Sequence, residues 1–130
     1  MKKITQLLLL LSLISCSTGY HKQSLSGGYN DTQLAETIYK VRFNGNGYTS
    51  LPRVQRFLLR RYAELTIEKG YDYFLELSAD DLSDYSIGSS WDNESVDVTT
   101  RHSASGVIKL YKAGEEPSNA YNPYLILKKK

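Results

Sequence analysis

The residues that most often carry covalent chemistry are scarce in this sequence. Its 130 residues include one cysteine, Cys16, and two histidines, His21 and His102. The serine-hydrolase motif G-x-S-x-G, the phosphate-binding P-loop and the zinc-binding H-E-x-x-H do not occur in it. His21 falls in a polar N-terminal segment and His102 in a predicted turn, so we do not expect them to share a site. The sequence predicts no catalytic residue, no cofactor and no enzymatic activity.

Cys16 follows a short apolar segment that begins after two lysines. Lys2 and Lys3 precede residues 4–14, which are mainly leucine and isoleucine. A helix that spans a bilayer needs about 20 apolar residues, so this segment is too short to span one. Its length fits the apolar core of a secretory signal peptide. A single cysteine in an exported chain has no internal disulfide partner, so its thiol would stay reactive unless it is modified.

The residues around this cysteine resemble the lipobox of bacterial lipoproteins. In that motif an aliphatic residue stands three positions before an invariant cysteine and a small residue directly precedes it, as Leu13 and Ser15 do here. The resemblance implies a diacylglycerol on the Cys16 thiol, cleavage after Ser15 and acylation of the new amino group. The alternative is an ordinary signal peptide that is followed by a free cysteine.

The residue after the cysteine bears on location. In the lipoproteins that this segment resembles, an aspartate at that position favours retention in the inner membrane, and this chain has Ser17. The resemblance therefore implies an outer-membrane lipid anchor that faces the periplasm. We expect residues 1–15 to be a lipoprotein signal peptide, residues 16–26 a lipidated tether and residues 27–130 a single domain.

The composition of the mature chain limits its partners. Cleavage after Ser15 removes two lysines, so the 16 basic residues fall to 14, equal to the 14 acidic residues. Nucleic-acid binding calls for a clustered basic surface, which this balance does not indicate. The final lysines, residues 128–130, are expected to be solvated. We expect contact with the membrane through Cys16, an envelope protein or polymer as partner, and no nucleic acid.

Arg61 and Glu64 are candidate binding residues. In the predicted helix Arg61 lies close to the apolar stripe that includes Val54 and Leu65, where an unpaired charge is unfavourable. Glu64 follows three residues later and is the expected partner of Arg61. The favoured interpretation is a structural arginine that binds Glu64 or backbone carbonyls, and the alternative is a recognition site for a carboxylate or a phosphate.

A long polar segment, residues 79–93, contributes the other candidates. Its stretch 80–85 has three aspartates but lacks the glycine and the ligand spacing of an EF-hand, so we expect no metal site. Tyr85 and Trp91 lie in the same segment, and such aromatic side chains often anchor partners. The alternative, favoured equally, places Trp91 over the end of the sheet.

The elements that must position these residues follow from hydrophobic periodicity. A helix is predicted over residues 51–69, with Thr49 or Ser50 as its cap, Gly70 after its end and an apolar stripe of Val54, Leu58 and Leu65 that packs on a sheet. Alternating patterns predict strands over residues 38–43, 71–78, 94–101 and 106–113. Residues 27–32 are expected to form a turn at the domain edge, and residues 121–127 either a fifth strand or a short helix.

This order of elements, β-α-β-β-β, predicts an α+β fold. One helix would pack on a mainly antiparallel sheet of four to five strands. The first β-α-β step implies that the two strands flanking the helix are parallel and joined by a right-handed crossover.

Three segments resemble a family of small, uncharacterised bacterial envelope lipoproteins. They are GGYNDTQLAETIYKVRFNGNGYTS, LLRRYAELTIEKGYDYF and ASGVIKLYK, against the family pattern GGYS-(D/E)-T, V-x-F-x-GNGYT, LLR-x-AEL and GYxYF. The likeness covers residues 27–77 well and the remainder weakly. Asn30 stands where the family usually has serine, and Tyr62 is a bulky residue before Ala63. The resemblance implies an envelope location and no established activity.

Taken together, the residues and the resemblance predict a lipid-anchored envelope lipoprotein. Its domain would bind another envelope component or support envelope structure without catalysis. The alternative is a hydrolase that acts on a cell-wall or surface polymer. A small-ligand carrier is disfavoured because the chain is short and shows no spare apolar face.

Overall fold

The computed structural model describes residues 19–46, 48–78, 81 and 102–129. Its elements, in chain order, are β1 (Gly28–Ala35), β2 (Ile38–Asn44), α1 (Leu51–Glu68), β3 (Tyr73–Leu77), β4 (Ser103–Tyr111) and α2 (Pro123–Leu127). The strands form one sheet in the order β1-β2-β4-β3, and all three neighbouring pairs are antiparallel. The predicted α+β class, one main helix on a mainly antiparallel sheet, is confirmed.

The C-terminal strand β4 lies between the two strands that flank α1. Tyr39 of β2 pairs with Ile108 of β4, and Phe74 of β3 pairs with Leu110 on the opposite side of β4. Because β2 and β3 are both antiparallel to β4, they run in the same direction without being hydrogen-bonded to each other. The two strands that flank α1 are therefore parallel, as the sequence predicts, with β4 inserted between them.

Strand β1 occupies the stretch that was expected to be a turn. It forms a hairpin with β2, in which Tyr29 pairs with Phe43 and Asp31 pairs with Val41. The pattern is weak in the sequence because β1 is an edge strand with mainly polar side chains. Its residue Asp31 takes an inward position that periodicity assigns to an apolar side chain. The reason becomes clear at the candidate site, where a cation on α1 binds this aspartate.

Helix α1 covers one face of the sheet and forms the core with it. The predicted stripe of Val54, Leu58 and Leu65 is buried, as is Tyr62 beside it. These side chains contact the inward residues of the strands, which are Tyr39, Val41, Phe43, Phe74, Ile108 and Leu110. Leu51, at the first helical position, is 44% exposed. Burial of this apolar face supplies most of the helix's stability.

The two ends of α1 differ in how their backbone is capped. Ser50 is the N-cap residue, but its side chain makes no capping hydrogen bond, so the predicted side-chain cap is absent. At the other end Gly70 has φ 78°, and the Tyr71 amide donates to the Thr66 carbonyl at 3.0 Å. This is the glycine-terminated end that the sequence predicted. Neither of the two helices in the described part of the chain is long and apolar enough to cross a membrane.

Of the two alternatives that the sequence left open for the C-terminal segment, the described residues form the short helix, preceded by a single β-bridge. Tyr121 forms an isolated antiparallel bridge with Phe74 at the outer edge of β3. Helix α2 then begins at Pro123, and the Asn122 side chain accepts a hydrogen bond from the Tyr124 amide at 3.0 Å. The predicted strand over residues 94–101 lies outside the described residues, as does nearly all of the polar segment 79–93.

The N-terminal segment is bound to the sheet from Tyr20 onward. The Tyr29 amide donates to the His21 carbonyl, and the Gln23 amide donates to the Tyr29 carbonyl, both at 2.8 Å. Gly28, with φ 125°, permits this approach because a Cβ there would lie 2.5–2.6 Å from the His21 and Lys22 carbonyl oxygens. Residues 21–24, within the expected tether, are held by these backbone hydrogen bonds and by the Ser24–Gly27 bridge.

A second close approach occurs between α1 and β4. Gly106 of β4 lies directly beneath the Tyr62 side chain, whose hydroxyl donates to Glu76 at 3.0 Å. Glycine in a strand interior is normally unfavourable and often marks a site where another group comes close. Here it leaves room for a buried tyrosine hydroxyl and its carboxylate partner.

We expect Gly106→Ala to destabilise the protein by about 1–3 kcal/mol, because the added Cβ would overlap the Tyr62 hydroxyl. Tyr62→Phe alone should lower stability by about 1 kcal/mol through loss of the Glu76 hydrogen bond. In the Gly106→Ala background, Tyr62→Phe should instead raise stability, because it removes the overlapping atom. Urea unfolding of the four proteins measures these effects. Additive losses in the double variant would show that Gly106 does not make room for Tyr62.

Candidate functional site

The candidate site lies between α1 and the edge hairpin and is centred on Arg61. This arginine is 6% exposed and extends from the helix toward β1. Its Nε lies 3.0 Å from both carboxylate oxygens of Asp31, and its Nη2 donates to Asp31 Oδ2 at 2.6 Å. Its Nη1 and Nη2 also donate to the two carboxylate oxygens of Glu68, at 2.8 and 2.9 Å. Arg61 therefore makes two bidentate carboxylate contacts.

Glu64 is not the main partner of Arg61. Its Oε2 lies 3.7 Å from Arg61 Nη1, which is an ion pair without a hydrogen bond. Glu64 Oε1 instead accepts from Arg60 Nε at 2.8 Å, and Oε2 accepts from the Tyr20 hydroxyl. The expectation that Glu64 would satisfy Arg61 is therefore corrected. Asp31 and Glu68 hold the guanidinium, and Glu64 links the cluster to the N-terminal segment.

Burial, hydrogen bonds and neighbouring charges all act on the pKa of Arg61. Burial lowers its pKa, but the hydrogen bonds and the charges of Asp31 and Glu68 outweigh burial and raise that pKa above its ordinary value. The guanidinium carbon also lies 4.3 Å from the centre of the Tyr29 ring, a cation–π contact. Arg61 therefore stays cationic in a largely dry environment where both of its polar edges are occupied.

Tyr20 joins this ion cluster to an aromatic one. Its ring lies 5.2 Å from Tyr29 and 5.5 Å from Phe57, measured between ring centres, and stacks parallel to Phe43 at 6.4 Å. The Arg60 guanidinium lies 4.0 Å above the same ring. Burial raises the pKa of the Tyr20 hydroxyl, and the hydrogen bond to Glu64, a smaller cause, raises it further. The N-terminal segment is thus attached through both an apolar ring and a polar hydroxyl.

This geometry favours the structural interpretation of Arg61. A recognition site for a phosphate or carboxylate requires a guanidinium edge that faces an open space. Both edges of Arg61 are taken by the protein's own carboxylates, Asp31 and Glu68. Within residues 19–46, 48–78, 81 and 102–129, no group of three or more His, Cys, Asp or Glu residues is arranged to hold a metal ion.

Most of the other residues predicted from the sequence are not among those that the structure describes. Cys16, Tyr85 and Trp91 lie outside the described residues. Asp81 is described, and its carboxylate accepts from the Ser78 hydroxyl at 2.6 Å and the Ser78 amide at 2.8 Å, which lowers the pKa of Asp81. This is a local turn interaction at the end of β3.

The residues that sequence reasoning missed are Tyr20, Asp31 and Glu68. Glu68 follows Arg61 by seven residues, or two helical turns, so helical spacing places it on the same face. Asp31 follows Tyr29 by two residues, which puts both on one face of a strand. Tyr20 carries no such signal, because a single tyrosine in a Ser- and Gly-containing segment does not reveal that it packs against a core.

A shallow opening of about 450 Å³ lies along β3 beside Tyr121. Its lining residues are Leu75, Glu76, Leu77, Ser78, Asn119 and Tyr121. Glu76 and Tyr121 are the titratable side chains of this set, and the Glu76 carboxylate already accepts a hydrogen bond from the Tyr62 hydroxyl.

Comparisons of the chain with protein families, curated proteins and solved structures find no match. The site is therefore interpreted from its own geometry.

We expect Arg61→Leu to lower the free energy of unfolding by about 2–4 kcal/mol. The substitution leaves Asp31 and Glu68 without a cation, and the loss is smaller than for a fully buried pair because Glu68 is half-exposed. Adding Asp31→Asn and Glu68→Gln to Arg61→Leu should recover part of the loss, since it removes the unpaired charges. Chemical denaturation of the purified protein measures each difference.

The matched control is Arg56→Leu, on the exposed side of the same helix. It should change stability by no more than about 0.5 kcal/mol. Equal effects of Arg56→Leu and Arg61→Leu would contradict a specific role for the cluster.

We also expect stability to fall as the pH rises above about 10. Burial and carboxylate partners raise the pKa of the Tyr20 and Tyr62 hydroxyls above the ordinary value, which is near 10. Above about pH 10 these two hydroxyls lose their protons in the unfolded state but retain them in the folded state. The free energy of unfolding therefore falls as the pH rises. Urea midpoints between neutral and strongly alkaline pH measure the slope.

Tyr20→Phe and Tyr62→Phe should each reduce this alkaline slope while lowering stability at neutral pH. Tyr124→Phe, at an exposed position on α2, should keep the wild-type slope. A slope that neither buried substitution changes would disprove the assignment to these two hydroxyls.

Proposed function

We propose that this protein is a lipid-anchored lipoprotein of the bacterial cell envelope. Its small α+β domain is a non-enzymatic module that binds an envelope component or supports envelope structure. The observation that carries the proposal is the sole cysteine, placed after a small residue at the end of a short apolar segment that two lysines precede. The favoured location is the outer membrane, with the domain facing the periplasm.

The way the domain begins supports this proposal. Tyr20 is the fourth residue after Cys16, and it is fixed by ring packing and by its hydrogen bond to Glu64. A short connection between a modified cysteine and a folded domain suits a protein that is held at a membrane surface. The same segment would have no evident reason to be so firmly attached if it were only the remnant of a cleaved signal.

The carboxylates of the Arg61 cluster support the non-enzymatic part. A glycosidase needs two carboxyl groups that face a common open space. Asp31, Glu64 and Glu68 instead face Arg60 and Arg61 and are engaged in ion pairs. We therefore assign this cluster to stability, and we place the functional interaction on the surface of the domain.

The proposal predicts that the full-length chain, expressed in a bacterium with two membranes, incorporates labelled palmitate. Intact-mass analysis of the product should show loss of residues 1–15 and a Cys16 that carries lipid. Cys16→Ala should abolish both the label and the cleavage, because the acceptor thiol is missing. Ser17→Ala is the matched control and should retain both.

Two results would disprove this proposal. One is an unmodified Cys16 thiol in the wild-type product, and the other is palmitate label that persists in Cys16→Ala. Ser17→Asp provides a check on location, since it should move the lipidated protein toward the inner-membrane fraction. Unchanged fractionation of that variant would contradict the outer-membrane assignment alone.

A further inference from the structure

We propose that one end of the domain rests on the phospholipid surface to which the chain is anchored. This end, called the anchor-proximal surface, comprises the Ser24–Gly27 turn, the turn before α1 and the first two turns of α1. The side chains that carry the inference are Lys22, Leu25, Tyr48, Leu51, Arg53 and Arg56. The inference depends on the proposed lipid at Cys16, and it adds the orientation in which the domain is held.

The first argument is the length of the connection. Four residues from Cys16 to Tyr20 span at most about 14 Å even when fully extended. A domain of this size has a diameter of roughly 30 Å, so such a connection reaches only the nearest part of the surface. Tyr20 cannot extend it further, because its ring packs on Phe43 and Phe57 and its neighbour His21 pairs with β1.

The second argument is where that point lies on the fold. Tyr20 contacts Tyr29 near the start of β1 and Phe43 near the end of β2. The same end of the sheet carries the Ser24–Gly27 turn, since the Asn44 side chain donates to Gln23 at 2.9 Å. The turn before α1 follows directly, where the Asn46 side chain accepts from the Tyr48 amide at 3.0 Å. The lipid connection and both turns therefore share one end of the domain.

The third argument is the apolar character of these turns. Leu25 is fully exposed, Tyr48 is 77% exposed and Leu51 is 44% exposed. Exposure of leucine side chains to water is unfavourable, and tyrosine favours the interface between the lipid acyl chains and water. A bilayer surface accommodates all three side chains without rearrangement of the backbone.

The fourth argument is charge. Residues 19–30 and 44–63 contain five lysines and arginines and no aspartate or glutamate. Arg60 and Arg61 are paired with the carboxylates of the cluster, which leaves Lys22, Arg53 and Arg56 on this side. Asp81, the described acidic residue at this end, follows β3 at the far edge of the sheet.

The position of the arginines on the helix strengthens this point. The first turn of α1 has no acidic residue, although the helix dipole favours anions there and disfavours cations. Arg53 lies over the Phe57 ring at 5.4 Å, and that ring contacts Tyr20, so this cation lies beside the anchored segment. Phospholipid phosphates supply the anions that the first turn of the helix lacks.

The test uses the full lipidated protein reconstituted into vesicles of phosphatidylcholine with phosphatidylglycerol. An environment-sensitive fluorophore is placed on Leu25→Cys or Tyr48→Cys in one set of samples and on Glu115→Cys in another. Glu115 is exposed beyond the end of β4, at the opposite end of the domain. We expect lipid with a spin-labelled headgroup to quench the first two positions several-fold more strongly than the third, and iodide in the water to show the reverse order.

A charge variant with a matched control tests the role of the arginines. Arg53→Gln combined with Arg56→Gln should reduce headgroup quenching at Leu25→Cys several-fold. Lys69→Gln combined with Lys112→Gln removes two cations at the opposite end and should leave quenching unchanged. Equal quenching at all three label positions, in protein that floats with the vesicles, would overturn this inference and leave the lipid anchor intact. Failure of the wild-type protein to float would overturn the anchor itself.

Discussion

The structure depends on the neutralisation of one arginine that the main helix directs toward the sheet. A guanidinium in this position is unfavourable unless anions accompany it, and the protein supplies Asp31 from the edge strand and Glu68 from the next turns of the helix. The strand that brings Asp31 is otherwise poorly specified, because its side chains are mainly polar. The ion cluster thus fixes an edge strand that hydrophobic burial alone would hold weakly.

The cluster also determines how the chain enters the domain. Glu64 binds Arg60 on one side and the Tyr20 hydroxyl on the other, so the segment before β1 is attached to the same helix. Aromatic contacts with Phe43 and Phe57 carry the attachment into the core. Tyr20 therefore makes both electrostatic and apolar contacts, and loss of one kind of contact weakens the other kind.

The sequence specified the fold well where hydrophobic periodicity was strong. The helix, the strand over residues 38–43 and the buried stripe of Val54, Leu58 and Leu65 follow from spacing alone. Strand β1 did not, because an inward aspartate breaks the alternation that identifies a strand. Its role depends on Arg61, thirty residues away, and such a pair is visible only when both elements are already in place.

The candidate site was likewise predictable where it lies on the helix and not where it depends on other segments. Arg61 was recognisable because a charge stood beside an apolar stripe, and Glu68 was accessible from helical spacing. The assignment of Glu64 as its partner failed because two glutamates were available on the same face. In the structure Asp31 of β1 binds one edge of the Arg61 guanidinium and Glu68 binds the other. This arrangement is visible only when the strand is in place beside the helix. The contribution of Tyr20 rests on tertiary packing and leaves no local pattern.

The central position of β4 has a consequence for how the chain folds as it is synthesised. The strand on which both halves of the sheet depend is synthesised last, after the hairpin, the helix and β3. Until it emerges from the ribosome, β2 and β3 have no partner between them, and the core residues Ile108 and Leu110 are missing. Pairings between segments so distant along the chain form slowly. A nascent chain that carries a secretory signal would therefore remain unfolded long enough to be threaded through a translocation channel, and would complete its sheet only on the far side.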